Sequence, residues 1–112
     1  FYFAGAASGG LAAPTALVSV AARNLLADQS LEAAMAAPRV HHGGAPDTLF
    51  HEAELPPAAR DDLAARGHAL AATGPLGLVN VLSCAQGIPP HPESCDARSD
   101  PRGFGLAATA DQ

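Results

Sequence analysis

Residues 31–42, LEAAMAAPRVHH, carry a helix, its stop and the start of a strand in one short run. Ser30, just before them, offers the hydroxyl of an N-cap, where a side-chain oxygen can accept an N–H that the first turn leaves without a partner. The Ala-rich run through Ala36 favours a helix, and Pro38 stops it, because its ring lacks an N–H and crowds the preceding turn. Val40 to His42 then read as extended. Neighbours on a strand point to opposite faces, so His41 and His42 cannot grip one metal ion between them. One histidine is expected at a layer interface and the other near solvent.

Upstream of this run, Phe1 to Ala6 read as a strand, and the small residues Gly5 to Gly10 as a stretch where the backbone turns freely. Pro14 to Asp28 follow a helical pattern with Leu17, Val20, Ala21, Asn24 and Leu25 on one face, broken by Asp28-Gln29-Ser30. Downstream, the Gly- and Pro-rich GGAPD turn leads to a short strand at Leu49 to Glu52. Pro57 to Arg66 read as a helix with Gly67 just past its end. Strands are expected at His68 to Thr73, Leu78 to Cys84 and Gly103 to Thr109, with Gln86 to Arg98 as an irregular, Pro-rich loop. The order is strand, helix, helix, then mostly strands with one more helix. It predicts an α+β fold in which helices cover a sheet.

Composition narrows the function. The chain has 112 residues, enough for one domain and too few for two, and is 48% hydrophobic but only 4% aromatic. A core of small side chains buries little area per residue, so the domain is expected to pack on something else. The FYFAGAASGG opening reads as mid-domain, and the chain is expected to be a fragment or a processed subunit. The net charge is −5 and all six cations are scattered arginines, which argues against nucleic-acid binding. No run approaches the roughly 18 apolar residues of a membrane span. Cys84 and Cys95 lack the spacing of a zinc or redox CxxC motif. As a pair they would close a loop worth roughly 2–3 kcal/mol; two free thiols are the alternative.

Candidate chemistry is sparse. Gly9 and Gly10 stand between a strand and a helix, where consecutive N–H groups can hold an anion or a developing oxyanion. A strand–Gly–Gly–helix is also an ordinary tight turn. Ser8, Thr15 and Ser19 sit in no nucleophile elbow, and His51, His68 and His91 are isolated. Asp100 and Arg102, in SDPRGFG, are expected to pair and stiffen a loop, with a substrate-binding Arg102 as the alternative.

The segments SGGLAAPT (8–15), LEAAMAAPRVHH (31–42), PDTLFHE (46–52), ARGHAL (65–70) and SDPRGFGLA (99–107) occur in this order. Together they resemble the C-terminal part of the small subunit of a gamma-glutamyltransferase (gamma-glutamyltranspeptidase). The resemblance implies part of an N-terminal nucleophile hydrolase αββα sandwich, residues 1–112 being a single-domain fragment of it. It also implies an acyl-enzyme route that opens gamma-glutamyl bonds of glutathione-like substrates without metal or organic cofactor. Gly9 and Gly10 match the family's oxyanion-hole glycines. The nucleophilic Thr and the groups that grip the substrate's carboxylate are implied upstream, in partner segments of the same precursor, so this chain alone is expected to be inactive. Where the family has Ser-Arg-Ile, this sequence has Leu11, Ala12 and Ala13. That departure leaves open a related amide acylase, or a degenerate non-catalytic domain of the same fold. The family and the cysteine pair together point to a periplasmic or secreted protein.

Overall fold

A computed structural model describes residues 1–110. Asp111 and Gln112, the end of the expected 1–112 domain, lie outside the described residues. Among the described residues, six strands in two sheets and three α-helices follow in the order β1 (Phe3–Ser8), α1 (Ala13–Leu25), α2 (Leu31–Ala36), β2 (Val40–His42), β3 (Leu49–Glu52), α3 (Pro57–Ala65), β4 (Leu70–Thr73), β5 (Leu78–Cys84) and β6 (Cys95–Ser99). One sheet has the order β1-β5-β6, with both pairings antiparallel. The other has the order β2-β3-β4, in which β3 and β4 run parallel because α3 carries the chain back between them.

The core lies between the first sheet and the helix pair α1–α2. Ala16 and Val20 of α1 and Leu31, Ala34 and Met35 of α2 meet Val79 and Val81 of β5, with Phe3, Ala7 and Leu17 closing the edge. These residues are mostly small, as the composition requires, so the helices can lie close on the sheet. Four apolar residues of α1 and its flanks stay in water: Leu11 is 86% exposed, Val18 66%, Leu25 52% and Leu26 86%. The expected face of α1 is thus right at Val20 and Leu17 but wrong at Leu25.

Capping sets the helix ends. The Ser30 hydroxyl accepts the Ala33 N–H at 3.1 Å, as expected of the N-cap of α2. α1 ends three residues before Asp28, because Asp28 takes a left-handed φ of 53° and lets Gln29 N–H reach back to the Arg23 carbonyl at 3.0 Å. An Asp tolerates that region better than most non-glycine residues.

Four strand expectations are corrected, the smallest being β4, which starts at Leu70 and not at His68. β1 starts two residues late and runs through Ser8, so Gly5 to Ser8 are strand and the free turn is confined to Gly9–Gly10. Cys95 to Arg98, the end of the expected Gln86–Arg98 loop, form β6 together with Ser99: pairing with β5 supplies what its polar sequence does not signal. Gly103 to Thr109, expected as a strand, take no regular structure. Phe104 and Leu106 are fully exposed. Their alternation mimics a strand, but the segment adds to neither sheet. No helix among the described residues is long and apolar enough to cross a membrane.

Candidate functional site

β1 ends at Ser8, and the chain then turns through Gly9 (φ 117°) and Gly10 (φ 66°) into a 3₁₀ turn, Gly10–Ala12, that runs on into α1. Both φ values lie in the region that side chains with a Cβ rarely adopt. The first N–H groups of such a turn have no acceptor within the helix and sit at the positive end of its dipole. The two glycines differ in surroundings. A Cβ on Gly9 would lie 2.8 Å from the Gly77 Cα, whereas one on Gly10 would meet nothing within 4 Å. The Gly10 side of the turn is therefore open to a second molecule.

Beside the turn, Thr15 Oγ1 and His41 Nδ1 lie 2.9 Å apart, tying the first turn of α1 to β2. His42 points the other way: its Nδ1 accepts the Gly44 N–H at 3.0 Å, so Nε2 carries the proton and donates to Asp47 at 3.0 Å. This is the opposite-face arrangement expected of the histidine pair. His51 Nδ1 donates to the Glu52 carbonyl and His91 Nδ1 to the Glu93 carboxylate. The exposed His68 side chain has no hydrogen-bond partner among the described residues. No cluster of three or more His, Cys, Asp or Glu able to hold a metal ion occurs among them.

Behind the turn lies a buried ionic network that sequence reading largely missed. Arg39 is 1% exposed and donates through Nη1 to Asp100 Oδ2 at 2.7 Å and to the carbonyls of Gly77 (3.1 Å) and Leu76 (3.3 Å). Arg102 donates to both Glu52 oxygens, at 2.7 and 2.6 Å, to Asp100 at 3.2 Å, and to the carbonyls of Met35 and Ala37. The expected Asp100–Arg102 pair is present, but as one contact among many. Both arginines follow a proline, and that is the single local signal the sequence carried.

The carboxyls respond accordingly. Burial alone would raise the pKa of Glu52, but hydrogen bonds from Arg102 and from the Leu76 and Arg39 N–H groups, with the Arg102 charge, hold it below the usual value. Burial acts the same way on Asp100 and is outweighed by the Arg102 N–H, the Arg39 side chain, the Val79 N–H and the Arg39 charge. Cys84 and Cys95 are cross-strand partners on β5 and β6, joined through their sulfurs.

The family profile described as Gamma-glutamyltranspeptidase matches residues 1–110. This chain belongs to the gamma-glutamyltranspeptidase family. Its members are enzymes, and solved members share this chain's backbone. Gamma-glutamyltranspeptidase from Pseudomonas nitroreducens, solved in complex with L-DON, superposes with a TM-score of 0.82 at 27% identity, over 97% of this chain and 55% of that one. A mutant of the Helicobacter pylori gamma-glutamyltranspeptidase gives 0.79 at 22% identity, over 91% of this chain and 54% of that one. The Bacillus anthracis transpeptidase CapD gives 0.73 at 16% identity, over 96% and 62%, and shows likeness of fold. This chain thus spans about half the length of the first of these. No curated protein matches significantly. The α+β arrangement of helices on sheets is that of the N-terminal nucleophile hydrolase-like fold of these gamma-glutamyltranspeptidases.

Proposed function

We propose that this chain is the C-terminal part of the small subunit of a gamma-glutamyltranspeptidase that transfers or hydrolyses gamma-glutamyl groups of glutathione-like substrates. In it, Gly9 and Gly10 supply backbone N–H groups to the oxyanion of the acyl-transfer intermediate. The observation that carries this reading is the left-handed Gly9–Gly10 turn, open on its Gly10 side, at the junction of β1 and α1 in a chain of this family. Backbone N–H groups fixed in advance stabilise developing negative charge without reorganising during the reaction. The Thr nucleophile and the groups that bind the substrate carboxylate lie upstream in the same precursor, and residues 1–112 alone are inactive. The exposed stripe of Leu11 in the 3₁₀ turn and Val18 and Leu25 on α1 supports such partner segments. A joined Cys84–Cys95 pair and the family together support a periplasmic or secreted location.

The complete precursor, assayed with a gamma-glutamyl anilide, should release the amine. Gly10→Ala should mature and fold, since the methyl meets only open space and the left-handed φ costs roughly 1–2 kcal/mol. The Gly10 N–H remains, but the methyl enters the open space from which the oxyanion would approach it, so kcat should fall on the order of 10²-fold, the size of the loss when one oxyanion donor is denied its acceptor. An unchanged kcat in Gly10→Ala removes the oxyanion assignment; no amine release from matured parent enzyme removes the activity itself.

The second reading is a non-catalytic domain of the same fold. Leu11, Ala12 and Ala13 favour it, since they remove a hydroxyl and a cation beside the turn. A parent that lacks the nucleophilic Thr at a self-cleavage junction supports it.

A further inference from the structure

We propose that Gly77 and Arg39 are positioning residues for the Gly9–Gly10 turn, a role that rests on the oxyanion reading above. Three small residues stack without room for another atom. A Cβ on Gly9 would lie 2.8 Å from the Gly77 Cα, and a Cβ on Gly77 would lie 2.8 Å from the Ala16 Cβ and 3.4 Å from the Ser8 carbonyl oxygen. The turn therefore rests on the bare backbone of Gly77, and Gly77 in turn rests on the first turns of α1. Gly77 is itself left-handed, with φ 77°.

What fixes Gly77 is charge. Arg39 Nη1 holds the carbonyls of Leu76 and Gly77 from one side. Glu52 Oε1 accepts the Leu76 N–H at 2.8 Å, and Asp100 Oδ2 accepts the Val79 N–H at 2.8 Å. The peptide groups of residues 76–79 are thus gripped by buried ionised side chains on both their donor and acceptor edges. Arg39 has almost no freedom to relax, because it is 1% exposed and is tied as well to Asp100 and the Met35 carbonyl. The guanidinium holds two nitrogens in a rigid plane, Nη1 toward Leu76, Gly77 and Asp100 and Nη2 toward Met35, and the single rotating nitrogen of a lysine cannot reproduce that spread. Arg39 and Gly77 touch no reacting atom. They set the direction in which the Gly9 and Gly10 N–H groups point, and oxyanion stabilisation depends steeply on that direction.

The test uses the complete precursor and a gamma-glutamyl anilide. Matured Gly77→Ala and Arg39→Lys should each lose about tenfold or more in kcat with KM within about twofold, the pattern of an interaction made in the transition state. Leu31→Ala, a core truncation in α2 away from the turn, should lower the melting temperature comparably and keep kcat. In the Gly77→Ala background, Ala16→Gly removes the methyl that the new side chain strikes and should recover part of the lost kcat. If kcat in Gly77→Ala and Arg39→Lys matches that of Leu31→Ala, the positioning role is overturned while the functional reading stands. Should Gly77→Ala not fold, Ala16→Ser, which crowds Gly77 by one oxygen, is read by the same kcat criterion. An inactive parent overturns the functional reading, and the positioning role with it.

Discussion

The sequence around Arg102 fits two roles, one half of a loop-stiffening pair or a substrate-binding cation. Its surroundings decide between the two. A guanidinium has five N–H donors, and those of Arg102 go to Glu52, Asp100 and the Met35 and Ala37 carbonyls. No donor is left for a substrate carboxylate, although a cleft of about 330 Å³ opens beside it. Arg102→Ala should therefore act on stability. Removing it leaves Glu52 buried with two backbone N–H donors and no paired cation, which costs about 3–5 kcal/mol for a buried pair broken on one side. Chemical denaturation of the complete protein measures this, and a loss below about 1 kcal/mol, typical of surface pairs, would contradict it. Arg39 tells the same story more strongly, because it carries no feature in the sequence beyond following Pro38.

At the scale of elements, propensity and capping located α2, β2, β3 and β5 at the boundaries observed, because each is bounded by a proline, a glycine turn or a cap. It failed at β6, whose residues Cys-Asp-Ala-Arg-Ser become a strand by pairing with β5. The β5–β6 hairpin is also where the two cysteines meet, Cys84 opposite Cys95. In protein isolated without reductant, this pair should resist alkylation, and the intact mass should be about 2 Da lower than after reduction, for the two hydrogens lost on bond formation. Reduction should lower stability by roughly 2–3 kcal/mol, the cost of reopening a loop of this length. Alkylation of both thiols without prior reduction would rule the bond out, along with the support it gives to an extracytoplasmic location.

Across the whole molecule, Arg39, Glu52, Asp100 and Arg102 join the end of α2, the end of β3, the start of β5 and the segment after β6. Stability should depend on pH through the two carboxyls. Both have pKa values lowered by folding, so their contribution is complete above the unfolded values near 4 and is lost as pH falls through the folded ones. Thermal stability of the complete protein should drop below about pH 4, where the unfolded chain binds more protons than the folded one. In Glu52→Gln with Asp100→Asn, that part of the slope should vanish; an identical slope would assign the acid transition to other groups. By itself the sequence determined the α+β order of elements, the family and the place of the Gly9–Gly10 turn between a strand and a helix, because these rest on local rules and on motifs read in order along the chain. Only the tertiary structure decided that β6 is a strand, that Arg102 is saturated, and that Gly77 backs the Gly9–Gly10 turn. These depend on contacts between residues far apart in the chain, such as Arg39 with Asp100 and Gly9 with Gly77, and no local propensity encodes which distant partner a charge or a bare backbone will meet.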